Sequence, residues 1–242
     1  GKLAFLLAIF LVSVIPSILF PGFSQLFEQK NIAKIKKLYF RLSDIAIRLG
    51  LFSGISYLFI NETFIELWVG TSNYGGAELT QIFVIWIIFE SFIRGLTSII
   101  YASSNLTGLT AVSFIEAALN ILLTLILIQN MGLIGVVAGT VLSRVVTIIY
   151  IPLKINSILE VKNIYFIKRL FFSFCRYSIP MLAVGIFIQN QLDTSINPFL
   201  RILFICVPIF FINIFFEEGV FIYKQKGLNL KDRFKSLKNN YY

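Results

Sequence analysis

An all-α, polytopic membrane protein is the fold class this sequence predicts, and composition, the length of its apolar runs and the placement of its charges predict it. The 242 residues are 57% hydrophobic and only 14% charged, with a mean hydropathy of +0.86. Soluble domains lie nearer one-half apolar and one-quarter charged. The apolar residues fall in runs of about 20, the length that crosses a hydrocarbon core of about 30 Å as a helix. The formal net charge of +9 does not point to nucleic acid. The basic residues sit in short segments between apolar runs, where the positive-inside rule accounts for them.

The clearest elements form a hairpin from Ser104 to Pro152. Two apolar helices are separated only by the turn Asn130-Met131-Gly132. In a bilayer each helix satisfies its own backbone hydrogen bonds, which an all-apolar segment needs. The first helix carries a polar stripe at helical spacing, Ser113, Glu116, Asn120 and Thr124. The second carries Arg144 near mid-depth, beside Thr140 and Thr147, and the Gly135-x-x-x-Gly139 spacing of a close-packing face.

About seven crossings are expected in chain order. The first runs from Leu3 to Phe20 and ends at Pro21-Gly22. It continues too long, and without a small-residue cleavage site, for a signal peptide; the chain, opening at Gly1-Lys2, is expected to begin in mid-protein. Residues 23–42, with Lys30, Lys34, Lys36, Lys37 and Arg41, suggest an interfacial amphipathic helix. The second crossing spans Leu42 to Ile60, with Asp44 one turn before Arg48. An outer loop follows, with Glu62, Glu66, Trp68, Tyr74 and paired glycines. The third crossing, Leu79 to Tyr101, aligns Glu90, Arg94, Ser98 and Tyr101 on one face. After the hairpin comes a second basic loop with Lys154, Lys162, Lys168, Arg169 and Arg176. A sixth crossing passes through Pro180 to about Gln189, a seventh spans Pro198 to Tyr223, and a basic tail ends the chain. Alternating these crossings puts all three basic clusters on one side, with Glu62, Glu66, Glu78 and Asp193 on the other. The positive-inside rule then makes the end of the chain cytoplasmic.

Ionisable groups inside membrane segments are candidate functional groups by default. The candidates are Arg48, Arg94, Arg144 and Asn120, with Asp44, Glu90 and Glu116 as coupling or charge-balancing groups. Each has a plainer reading. Glu90 and Arg94 have the spacing of an intrahelical pair, Glu116 and Arg144 suit an interhelical pair, and Asp44 stands one turn from Arg48. Arg48 can also snorkel to the headgroups. Asn120 can bond a backbone carbonyl across the hairpin. A buried carboxylate can instead carry a coupling proton. Cys175 and Cys206 fall in apolar runs as packing residues. With no histidine and no cysteine cluster, neither a metal site nor a cofactor is expected.

Three stretches carry a family resemblance: SVIPSILFPGFSQLFEQKNIAKIKKLYFRL, FIELWVG at Phe64 to Gly70, and ALNILLTLILIQNMGLIGVVAGTVLSR, with Asn120, Gly132, Gly135, Gly139 and Thr140 in matching places. They resemble the polysaccharide-transporter branch of the multidrug/oligosaccharidyl-lipid/polysaccharide exporter superfamily, the oligosaccharide flippases. The resemblance covers roughly residues 10 to 155 and extends to the last two helices only by hydropathy. It implies a two-lobe exporter bundle, of which this chain is the C-terminal part. Residues 1–155 would supply five helices of the second lobe, 156–223 an additional helix pair, and 224–242 a basic cytoplasmic tail. Its implied partners are membrane lipids, an undecaprenyl-diphosphate-linked oligosaccharide and a missing N-terminal lobe.

The implied function is transport of that lipid-linked unit across the bacterial inner membrane, for surface polysaccharide or O-antigen synthesis, by alternating access without bond chemistry. Arginine suits the cargo, because a planar guanidinium matches phosphate oxygens and stays charged. Two alternatives compete: a cation-coupled multidrug exporter of the same superfamily and a membrane polysaccharide polymerase. A polymerase would want a sizeable outer loop, and none here is expected to exceed about 20 residues.

Overall fold

The computed structural model describes residues 20–192 and 196–213. Among them there is no strand, and the chain is a set of α-helices. Residues 20–28 form α1, and α2 is Ile32–Val69. A short 3-10 turn, Thr71–Asn73, leads to α3, Ala77–Ala102. The hairpin helices are α4, Leu109–Met131, and α5, Leu133–Ile158. Then come α6, Asn163–Gln191, and α7, described over Pro198–Asn213. Five helices, α2 to α6, are long and apolar enough to cross a membrane, which makes this a multi-pass membrane protein. Apart from Phe20, the expected first crossing lies outside the described residues, as do the seventh crossing beyond Asn213, Asp193 and the basic tail.

The expected interfacial helix over residues 23–42 is not a separate element. It divides at Gln29-Lys30-Asn31, where Lys30 turns the chain with φ of 54°. The Asn31 side chain then caps α2, its Oδ1 accepting from the Lys34 amide at 3.2 Å. From that cap the helix continues for 38 residues, about 57 Å at 1.5 Å per residue. That exceeds a bilayer core of about 30 Å, so the basic first turns and the acidic last turns extend past the apolar middle. No proline interrupts it. Its glycines let α3 close in instead of breaking it: a Cβ on Gly50 would stand 3.0 Å from Ser91 Cβ. The expected outer loop shortens accordingly, since Phe64 to Val69 are helical.

The second basic loop shortens as well. Lys154 belongs to α5, and Lys168, Arg169 and Arg176 belong to α6, leaving only residues 159–162 as the connection. Side chains fix this corner. Tyr39 of α2 stacks on Phe166 of α6 at 5.0 Å between ring centroids. Its hydroxyl donates to Asn156 Oδ1 at 3.0 Å, and Asn156 donates to Asn163 Oδ1 at 2.9 Å. Three helices are thereby tied through Tyr39 and Asn156, both buried and satisfied, and an exposed Asn163.

The helices pack in a row, α4 on α5, α5 on α3, α3 on α2 and α2 on α6. α7 lies against α2 through the Phe52–Phe210 ring contact and a bond from Asn213 Nδ2 to the Arg48 carbonyl. The core is densest where α2, α3, α5 and α6 meet, with Ile35, Tyr39, Leu96, Ile99, Ile155 and Phe166 buried. At the end of the row, α4 buries none of its residues.

Candidate functional site

Three helices place ionisable side chains in one chain of ion pairs. Glu90 stands near the middle of α3, one turn before Arg94, so the pair meets along one helix face. Arg94 Nε donates to Glu90 Oε1 at 2.5 Å. α5 runs alongside α3 and brings in Arg144, whose Nε donates to Glu90 Oε2 at 3.1 Å and whose Nη2 bonds the same oxygen. Arg144 Nη1 reaches across to Glu116 Oε1 on α4, and the Thr147 hydroxyl donates to Glu116 Oε2. The order is Arg94–Glu90–Arg144–Glu116–Thr147, two guanidinium groups against two carboxylates, neutral in sum.

Exposure differs within this chain. The Glu90 side chain is 2% exposed and Glu116 14%, whereas Arg144 is 25% and Arg94 39% exposed. Among the described residues, nothing bonds the two Nη groups of Arg94. Glu90 is therefore the enclosed member and Arg94 the accessible one, with Glu116 and Arg144 between them. An unpaired charge at mid-membrane costs about 2.5–3.5 kcal/mol or more, and reciprocal pairing offsets it.

Both expected pairs, Glu90–Arg94 and Glu116–Arg144, are present. The link between Glu90 and Arg144 was not expected. It joins helices that are not neighbours in sequence.

The polar stripe of α4 faces α5 for most of its length. Glu116 bonds α5, and Thr124 lies where a Cβ on Gly139 would come within 2.8 Å of its amide nitrogen. Asn120 makes no bond to a backbone carbonyl across the hairpin among the described residues; its Oδ1 accepts from Thr124 Oγ1 at 3.2 Å in its own helix. Ser113 is exposed. Asp44 bonds α6: its carboxylate accepts from Arg169 Nη2 at 2.5 Å and from Ser173 Oγ at 2.7 Å. The Arg169 guanidinium also lies over the Phe40 ring, 4.9 Å from its centroid. Arg169, read from sequence as a loop cation, is therefore a helix-joining residue. Arg48 is half-buried on α2.

In comparisons with known proteins, no family model, no curated protein and no solved structure matches the chain.

Proposed function

We propose that this chain is the C-terminal part of a transporter that moves a lipid-linked oligosaccharide, carried on undecaprenyl diphosphate, across the bacterial inner membrane. One observation carries the reading: in a charge cluster midway along the apolar helices, Arg94 is 39% exposed while the carboxylate it pairs with, Glu90, is 2% exposed. A diphosphate and its sugar cannot enter hydrocarbon without a large desolvation cost. A guanidinium edge turned to an aqueous vestibule lowers that cost, since it replaces lost water with charge-assisted hydrogen bonds. α4 closes the row without burying a residue, and a second lobe placed along it would complete the vestibule. On this reading the reaction is binding and reorientation, with the basic ends of the helices in the cytoplasm.

Arg94 is the residue to test, because its removal leaves Glu90 paired with Arg144. In the full-length protein, Arg94→Ala is expected to lower surface polysaccharide at least several-fold, with unchanged membrane level, and to trap lipid-linked units at the inner leaflet. Normal surface polysaccharide would remove the proposal. Units accumulating outside would indicate a polymerase, and drug sensitivity an exporter of small molecules.

A further inference from the structure

The acceptor side of the cluster carries a more specific consequence. Glu90 receives three guanidinium N–H groups from two helices, Nε of Arg94 and Nε and Nη2 of Arg144. Its side chain is 2% exposed. Water cannot draw such a carboxylate away, because it has almost no water contact. Another oxyanion can, since it offers the same guanidinium groups equivalent oxygens. The approach is open on the Arg94 side, where two Nη groups are unengaged among the described residues and the side chain is 39% exposed.

We infer that Glu90 is a resident occupant of an oxyanion seat built by Arg94 and Arg144, and that a phosphate-bearing ligand binds by taking those guanidinium groups from it. The identity of the ligand as a diphosphate rests on the function proposed above; the exchange itself rests on the geometry. The charged groups bonded to the seat are Arg94 from α3, Arg144 from α5 and, through Arg144, Glu116 from α4. α2 presents Gly50 and Gly54 to this part of α3. With two arginines and two carboxylates the seat has no net charge, so an incoming anion competes at a disadvantage. Neutralising Glu90 leaves one net positive charge and weakens the hold on Arg94 Nε and on Arg144 Nε and Nη2, while Arg144 Nη1 stays on Glu116.

The test is equilibrium binding to purified full-length protein in detergent micelles, with inorganic pyrophosphate in one arm and farnesyl diphosphate in the other. Glu90→Gln is expected to tighten binding at least tenfold over wild type, and Arg94→Ala added to it to reverse the gain. A gain in both arms marks a seat reached from water; a gain with farnesyl diphosphate alone marks one reached from the lipid. Glu116→Gln frees only Arg144 Nη1 and should tighten binding about threefold. That variant decides the matter if Glu90→Gln does not fold.

A folded Glu90→Gln protein that binds neither probe more tightly than wild type overturns the inference, as does an unchanged Glu116→Gln protein where it is the only folded variant. Translocation is not involved in these measurements. Tight binding by Glu90→Gln alongside normal polysaccharide in Arg94→Ala cells would keep the seat and remove the transport reading, and the opposite pair of results would do the reverse.

Discussion

Arg144 holds carboxylates from two other helices, so the energetic weight of the cluster is unequally divided between its two arginines. Replacing it by alanine leaves Glu116 with only the Thr147 hydroxyl and Glu90 with only Arg94. A charge left uncompensated in a buried site typically costs about 3–5 kcal/mol. Arg94→Ala removes one of three donors from Glu90 and should cost markedly less. Thermal unfolding of the detergent-solubilised protein would rank them, with Arg144→Ala well below Arg94→Ala. Adding Glu116→Ala to Arg144→Ala should recover part of the loss, because the orphaned carboxylate goes with it. An Arg94→Ala protein as unstable as Arg144→Ala would show that the pairing does not carry the load described.

Helix pairs in lipid gain nothing from burying apolar surface, so the α4–α5 hairpin depends on how closely its backbones approach. The turn itself needs Gly132, which sits at φ of 54°, a left-handed conformation that costs an L side chain. A Cβ on Gly135 would run into the Leu127 carbonyl, and one on Gly139 into the Thr124 backbone. Gly139→Leu is therefore expected to lower stability by about 1–3 kcal/mol through overpacking. Leu142→Ala, at a side chain 51% exposed, should change it by less than about 0.5 kcal/mol. Equal unfolding midpoints for the two variants would remove the seam. This hairpin was legible in the chain because its signals are local: apolar runs of spanning length, a glycine at the turn and small residues one turn apart. α3 was legible for the same reason, ending within two residues of the expected bounds. The start of α2 and the start of α6 were not, since a cluster of lysines reports where a segment meets water but does not say whether the helix stops there. The site divides in the same way. Pairs within one helix or across one hairpin follow from spacing, whereas the Glu90–Arg144 link needs the contact of α3 with α5, which no local pattern encodes.

Taken whole, the bundle sorts its charges by end. The antiparallel register of α2 on α3 is set by Gly50 against Ser91 and Asn61 bonded to Thr80. α2 and α6 run parallel, since Tyr39 meets Phe166 and Asp44 meets Ser173. One end therefore gathers Lys30, Lys34, Lys37, Arg41, Lys154, Lys162 and Lys168, and the other gathers Glu62, Glu66 and Glu78 without a Lys or Arg between Asn61 and Arg94. Insertion follows the Lys and Arg bias near the helix ends, so the basic end should be cytoplasmic. The check is thiol labelling of the protein in intact cells, with Cys175 and Cys206 replaced by alanine. Cysteines introduced at Ser72, in the 3-10 turn, and at Asn130, near the end of α4, both exposed at the acidic end, should react with an impermeant maleimide. Those at Asn105 and Lys162, exposed at the basic end, should react only after permeabilisation. The reverse pattern would turn the bundle over and place the accessible edge of Arg94, which lies nearer the basic end of α3, on the far side from the leaflet where the proposed cargo is loaded.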